Sequence, residues 1–226
     1  MRPTKGKIAE VFRSLQGEGL YLGEEQVFVR FFGCNLNCKY CDTRLERFTE
    51  YQPKELFDEI KLCQNGNRVV SFTGGEPLLQ KNFLKEIMKL TSSEGYKNYL
   101  DTNGVLHHEL EDVIDYVDVV AMDMKLPSST GLNDFWYHHR QFLKTASKKE
   151  VFLKIVICHS TKEEDMAEAL RIVSEVNKYL IIVLQPNSAE EYEQMKGKIE
   201  QFRDVCRRHE ITACIIPQIH KKIGIS

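Results

Sequence analysis

Apolar residues fall into short continuous runs, separated by stretches in which they recur at helical spacing. The runs at 26–32, 69–73, 96–102, 117–122, 151–157, 180–184 and 212–216 are rich in Val, Ile, Leu, Phe and Tyr. Runs of this kind mark strands covered on both faces, as in parallel sheets. A further run at 7–13, with Ile8, Val11 and Phe12, predicts a first short strand. Between the runs, residues 53–64 place Leu56, Ile60 and Cys63 on one helical face, and Gly66 follows as a stop. The same period predicts helices over 83–90, 105–116, 131–146, 162–178 and 189–208. Strands alternating with helices in this way imply βα units, right-handed crossovers and a parallel sheet. The expected fold is therefore α/β, a partial (β/α) barrel with a mainly parallel sheet. No linker, repeat or low-complexity tract interrupts residues 1–226, so a single domain is expected.

Polar residues collect where the strands end. Thr73 to Glu76, Asp101 to Asn103, Asp123 with Lys125, and Gln185 with Asn187 each follow an apolar strand at its carboxyl end. In parallel α/β folds that edge is where ligands bind, so one cleft is expected to contain them all. Arg30 interrupts the run at 26–32. A buried guanidinium needs an anionic partner, and a structural carboxylate or a ligand carboxylate would serve equally. Lys154, between Leu153 and Ile155, reads either as a site residue or as a side chain reaching out from its strand. Gly17-Glu18-Gly19 reads either as a plain turn or as a loop whose backbone approaches a ligand closely.

Charge and composition narrow the classes. Lys and Arg number 31 against 33 Asp and Glu, a net charge of -2 with no basic block, which disfavours a direct nucleic-acid substrate. No stretch approaches the roughly 18 apolar residues of a membrane span, and no apolar segment follows the start of the chain, so a cytoplasmic protein is expected. Of seven cysteines, Cys63, Cys158, Cys206 and Cys214 are scattered singly. That distribution argues against a disulfide framework and for a reducing compartment.

The other three cysteines carry the chemistry. Cys34, Cys38 and Cys41 follow the 26–32 run directly, in a Cys-x3-Cys-x2-Cys spacing. Thiolates prefer zinc or iron–sulfur clusters. A structural zinc site wants four protein ligands, so zinc here would need a distant His. Three cysteines on a [4Fe–4S] cluster instead leave one iron open to a small molecule. With Tyr40 just before the last cysteine, this loop resembles the radical S-adenosylmethionine (SAM) superfamily. The resemblance implies a barrel of radical SAM type, with the cluster on Cys34, Cys38 and Cys41 and with SAM chelating the open iron through its amino and carboxylate groups. Gly74-Gly75-Glu76 resembles the element that receives the SAM amino group. Tyr40, Cys41 and Asp42, then Asp123-Met124-Lys125 and Gln185-Pro186-Asn187-Ser188, would complete the SAM contacts.

Four further elements narrow the resemblance to the 7-carboxy-7-deazaguanine synthase family: Gln16-Gly17-Glu18-Gly19, Arg30, Cys41-Asp42-Thr43 and the tail Pro217-Gln218-Ile219-His220-Lys221. Asp101 stands where Glu is common in that family and Met124 where a smaller residue or proline is, and neither removes a required group. The resemblance implies conversion of 6-carboxy-5,6,7,8-tetrahydropterin to 7-carboxy-7-deazaguanine with loss of ammonia, on the route to 7-deazapurines such as queuosine. SAM would be used catalytically through a 5′-deoxyadenosyl radical. Leu15, Gln16, Gly17, Arg30 and Thr73 would hold the pterin, Thr43 would coordinate Mg²⁺, a flavodoxin or ferredoxin would supply the electron, and the chain would form a homodimer. An activase of a glycyl radical enzyme or a non-catalytic zinc module are the competing readings. Residues 128–149, with Trp136, Tyr137, His138 and His139, match no motif; an adjacent His pair more often serves the surface or the packing.

Overall fold

The computed structural model describes residues 4–41 and 45–218. Its sheet has nine strands. Strand β1 (Gly6–Leu15) pairs antiparallel with β2 (Glu25–Phe31) and, on its other side, with β3 (Thr49–Tyr51). From β2 onward all pairings are parallel, through β4 (Val69–Gly74), β5 (Lys97–Thr102), β6 (Val119–Asp123), β7 (Glu150–Ile157), β8 (Ile182–Pro186) and β9 (Ala213–Ile215). The order β3-β1-β2-β4-β5-β6-β7-β8-β9 is open, the arrangement expected of a partial barrel. Helices α1 (Pro53–Cys63), α2 (Lys81–Ser93), α3 (His107–Val113), α4 (Pro127–Thr130), α5 (Trp136–Ala146), α6 (Glu163–Val176) and α7 (Tyr192–Arg208) lie between the strands. Local chemistry sets the first of them: Pro53 opens α1, and Gln52 and Glu55 close a reciprocal capping box.

Strand periodicity sorts the side chains into two layers. Val70, Phe72, Leu100, Val120, Met122, Leu153, Ile155 and Leu184 join Leu56, Ile60, Ile87, Phe142, Leu170 and Phe202 of the helices in the main core. The alternate positions point into the barrel. There Val69, Tyr99, Val119, Ala121, Phe152 and Val183 form a second, smaller cluster. One step further along the same columns the residues become Asp101, Asp123, Lys154 and Gln185. The interior is thus apolar toward the start of the strands and charged toward their ends.

The β1–β2 loop covers the open side. Tyr21 sets its ring against Tyr99 and Phe152, with centroids 5.6 and 6.4 Å apart, and its hydroxyl bonds to Glu150. Glu18 accepts from Lys154 of β7 at 3.2 Å and from Gln218, beyond β9, at 2.6 Å. A loop from one end of the sheet therefore meets residues from the other, which requires the sheet to curl.

Boundaries differ from expectation where local signals compete. Pro127 starts a short helix, α4, ahead of the expected one, and Gly131, at φ 73°, ends it after one turn, so the helix expected over 131–146 begins only at Trp136 as α5. Helix 105–116 ends as a 3-10 turn at Ile114–Tyr116, and β6 starts at Val119. Strand β3 carried no signal because it is a three-residue edge strand in which only Tyr51 is partly buried against the core. Among the described residues no helix is long and apolar enough to cross a membrane.

Gly19 makes the loop's turn possible, because its φ is +67° and a Cβ there would meet the Phe152 ring at 2.7 Å. Gly19→Ala is expected to lower stability by about 1–3 kcal/mol through strain and displacement of the loop. A melting temperature equal to wild type would show that the turn adapts at no cost.

Candidate active site

The carboxyl ends of the strands enclose a cavity of about 430 Å³, and Cys34, Cys38, Tyr40 and Cys41 line it. Three neighbours fix this cysteine loop. At the β4 end, the Gly75 N–H donates to the Phe31 carbonyl (3.0 Å) and the Glu76 N–H to the Gly33 carbonyl (2.8 Å). A Cβ on Gly75 would stand 2.0 Å from the Gly33 oxygen, so this close approach of two backbones admits only glycine. At the β5 end, Asn103 Nδ2 donates to Asn35 Oδ1 at 2.8 Å. From α4, the Thr130 carbonyl accepts from the Lys39 N–H at 2.9 Å. The stretch 128–149, which carried no motif, thus helps to hold the loop.

None of the three cysteines is in a disulfide. Burial pushes the Cys38 thiol up to about 11 and the Cys34 thiol above its ordinary value, while Lys125 pulls both the other way. Among the described residues no group of three His, Cys, Asp or Glu side chains converges to hold a single metal ion. All three cysteines line the same cavity, and a [4Fe–4S] cluster takes one thiolate on each of three irons.

Glu76 lies behind the cavity lining. It is fully buried and does not line the cavity. Its carboxylate accepts from the Leu78 N–H (3.1 Å), Thr102 Oγ1 (2.9 Å) and the Asn103 N–H (2.8 Å). Its position is that of a tie between the β4 and β5 ends, with no oxygen turned to the cavity. Met124 is likewise withdrawn, since strand alternation sends its side chain into the main core. Pro186 is buried behind the lining and Ser188 is exposed beyond it. Asp42, Thr43, His220 and Lys221 lie outside the described residues.

Asp123, Lys125, Gln185 and Asn187 do reach the cavity, as do Gly74 and Gly75. Lys125 Nζ pairs with Asp123 Oδ2 at 2.6 Å and stands 5.3 Å from the centre of the Tyr40 ring. Burial works against the Lys125 charge, but Asp123 and its other neighbours hold its pKa well above the usual lysine range. Behind it, the Lys125 N–H donates to Nε2 of His139 at 3.4 Å, and burial keeps that imidazole neutral by lowering its pKa to about 3. Asp123 Oδ1 and Gln185 Oε1 are buried acceptors without a hydrogen-bond partner among the described residues. Unpaired acceptors on a cavity wall call for donors on a ligand.

A second charged group involves residues whose roles sequence reasoning left open. Lys154 Nζ lies 2.8 Å from Asp101 Oδ1 and 3.2 Å from Glu18 Oε2, with its side chain only 5% exposed. It is a cavity residue rather than a side chain reaching solvent, and its carboxylates keep it charged despite burial.

Leu15, Gln16, Gly17, Arg30 and Thr73 all line the same cavity. Gln16 is also part of the loop's own fabric, since its Oε1 accepts from the Glu18 N–H at 3.2 Å. Arg30 and Thr73 are register neighbours on β2 and β4. Arg30 Nε pairs with Glu10 at 2.9 Å. Glu10, Phe12 and Phe28 also line the cavity; Phe28 shares the face of Arg30 on β2, whereas Glu10 and Phe12 were missed because only the β1–β2 register brings them beside it.

Residues 28–199 match the profile of the Radical SAM superfamily, so the fold and the cysteine loop define a radical SAM enzyme. A 7-carboxy-7-deazaguanine synthase from Geobacter sulfurreducens is 35% identical, covering 99% of each chain, and one from Methanopyrus kandleri is 32% identical over 98% of this chain and 95% of its own. This chain belongs to the 7-carboxy-7-deazaguanine synthase family. The crystal structure of QueE from Escherichia coli shares the fold, with TM-score 0.66 over 93% of both chains at 20% identity. A domain of a pyruvate-formate lyase-activating enzyme from Bacteroides vulgatus shares it less fully, with TM-score 0.54, covering 66% of this chain and 99% of that one at 18% identity. Membership implies a [4Fe–4S] cluster and SAM. The residues fit both groups, with three soft sulfur donors lining the cavity for the cluster and the orphaned Asp123 and Gln185 oxygens for a ligand rich in donors.

Burial raises the Glu76 carboxyl to about 7 against its three hydrogen bonds. A raised folded-state pKa means that the proton is bound more tightly in the folded chain. Its contribution is therefore full below the unfolded value near 4.5 and is lost as pH rises to about 7, by roughly 3 kcal/mol. Glu76→Gln is expected to flatten that decline in thermal melts. Glu76→Ala, which strands the Leu78 and Asn103 N–H groups, should destabilise the protein by about 2–5 kcal/mol. A pH profile identical to wild type in Glu76→Gln would assign the titration elsewhere.

Proposed function

We propose that the enzyme converts 6-carboxy-5,6,7,8-tetrahydropterin to 7-carboxy-7-deazaguanine with loss of ammonia, using SAM catalytically, and that residues 1–226 act as one radical SAM domain. The observation that carries this reading is that one cavity is lined both by Cys34, Cys38 and Cys41 and by the Arg30–Thr73 pair. Cys34, Cys38 and Cys41 would hold the cluster. Tyr40, Cys41, Asp42, Gly74, Gly75, Asp123, Lys125, Gln185 and Asn187 would hold SAM, the last four from the ends of β6 and β8. When bound, the two groups supply a 5′-deoxyadenosyl radical, a species able to take hydrogen from an unactivated carbon.

The chain's own part is to bind, orient and keep dry. Arg30 forks onto the pterin carboxylate, and Thr73, Leu15, Gln16 and Gly17 border the ring. Asp123 Oδ1 and Gln185 Oε1 would accept hydrogen bonds from donors on SAM, which would satisfy two acceptors that are otherwise stranded. Lys154 neutralises Asp101 beside the substrate, so that the cavity floor carries charge without uncompensated burial. The β1–β2 loop shields the reacting atoms from water, and fixed geometry supplies the proximity. Thr43 is assigned to Mg²⁺ through its hydroxyl, a hard oxygen suited to an ion that also shares substrate oxygens. We further assign the enzyme to the cytoplasm, with a flavodoxin or ferredoxin as electron donor and a homodimer as its assembly.

The test is an anaerobic assay of cluster-reconstituted protein with reductant, SAM, Mg²⁺ and the carboxylated tetrahydropterin. Many molecules of 7-carboxy-7-deazaguanine per SAM consumed are expected. Release of 5′-deoxyadenosine without deazaguanine would overturn the substrate assignment. Thr43→Ala should lower the rate and blunt its dependence on Mg²⁺, and an unchanged Mg²⁺ titration would remove Thr43 from that role.

A further inference from the structure

Three strands present one row of side chains to the cavity. Glu10 on β1 is register partner to Arg30 on β2, and Arg30 to Thr73 on β4. Next to this row lies Phe12 opposite Phe28, two rings stacked with centroids 5.3 Å apart and planes at 10°. The Arg30 guanidinium thus has two protein contacts of different kinds. Glu10 Oε2 holds its Nε at 2.9 Å, and its carbon sits 5.4 Å from the centre of the Phe12 ring.

Stability does not account for the Glu10 contact, since that side chain is 58% exposed and exposed ion pairs contribute little. Geometry does. A guanidinium is a planar fork with five donors, and a bidentate carboxylate needs two of them parallel. With Nε engaged by Glu10, rotation of the fork is fixed and the two terminal nitrogens are left for a second anion. The Phe12 face restricts the tilt of the plane. Arg30 is set in this way before any ligand arrives.

We propose that Glu10 is a positioning residue for substrate recognition, which presets Arg30 so that its terminal edge receives the carboxylate of a carboxylated pterin. The proposal rests on the reading of Arg30 as the carboxylate-binding residue. It carries a sign opposite to simple electrostatics: a carboxylate beside an anion site should repel an anionic substrate, whereas a carboxylate that orients the fork should help it.

The experiment measures KM, kcat and equilibrium binding of 6-carboxytetrahydropterin on the reconstituted enzyme for Glu10→Ala, Glu10→Gln and Arg30→Lys, alone and combined. Glu10→Ala is expected to raise KM and Kd for this substrate about tenfold with kcat within twofold, and with binding of tetrahydropterin lacking the carboxylate unmoved. Glu10→Gln, which keeps an acceptor oxygen, should recover most of the loss. In the Arg30→Lys background Glu10→Ala should add no more than twofold. Unchanged or tighter binding in Glu10→Ala, an equal loss in Glu10→Gln, an equal loss for the uncarboxylated pterin, or full additivity with Arg30→Lys would each overturn the proposal. Failure of the underlying reading is a separate result: Arg30→Lys with wild-type binding. Melting temperatures within about 2 °C of wild type show that the exposed Glu10 variants fold as wild type does.

Discussion

The buried ammonium of Lys154, shared by Asp101 and Glu18, is the interaction on which the site depends. Strand periodicity commits the inward column of β7 to Phe152, Lys154 and Val156, so a charge enters the barrel wherever the sequence puts Lys at that position. A lone ammonium there would be expelled or neutralised. Asp101 reaches it from across β6, and Glu18 comes from the β1–β2 loop. The need to satisfy one cation therefore draws a loop from one end of the sheet over strands from the other. Glu18 also holds Gln218, so the segment beyond β9 is drawn to the same point. Closure of this open barrel is electrostatic at its top, while Tyr21 on Tyr99 and Phe152 makes it apolar below.

The cysteine loop is governed by a different constraint, the contact of two backbones. Gly75 lies so close to the Gly33 carbonyl that a side chain cannot fit, and Glu76 then donates its N–H to that carbonyl. With its backbone so engaged, Glu76 turns its carboxylate the other way, to Leu78, Thr102 and Asn103. Asn103 in turn reaches Asn35 within the loop. A chain of hydrogen bonds thus runs from the β4 end to the β5 end and back to the cysteines, and α4 completes the ring through Lys39. The loop is exposed at Cys34 and Cys41 yet anchored on three sides, which lets its thiols face a ligand without wandering.

Much of this was legible in the sequence, and what was not shares a cause. The cysteine spacing, the apolar runs and the polar strand ends are local patterns, and they gave the parallel sheet, the cavity edge and most of its lining. Side-chain direction at a strand end is not local. Met124 follows Asp123 directly, and alternation alone sends one to the cavity and its neighbour to the core. Glu76 is decided by what its backbone touches across the sheet. Glu10 and Phe12 gain meaning only through the register with Arg30 and Phe28, some 20 residues away in the chain. His139 sat in a stretch with no motif, and its value lies in a single hydrogen bond from the Lys125 backbone. The short helix α4 shows the opposite case, since Pro127 at its start and Gly131 at its end are local signals in the sequence, whereas apolar spacing alone places a helix only from residue 131 on.

The superfamily match itself divides the cavity. It spans residues 28–199, and within it fall the cysteine loop, Gly74 and Gly75, Asp123, Lys125, Gln185 and Asn187. Outside it fall Glu10, Phe12, Leu15, Gln16, Gly17, Glu18 and Gln218, every one of them on the wall of the same cavity. The parallel strands thus carry the part the superfamily profile matches, while the antiparallel addition of β1 and its loop, with the segment beyond β9, lies outside that match. Arg30 stands at the junction. It belongs to the first parallel strand, yet its partner Glu10 and its stacking face Phe12 belong to the antiparallel addition. An antiparallel neighbour is the economical way to bring this about, because directly opposed residues on one face lie within about 5.5 Å of each other and a hairpin fixes their register. The shared barrel could keep its cofactor face unchanged while a single hairpin altered what the remaining wall recognises.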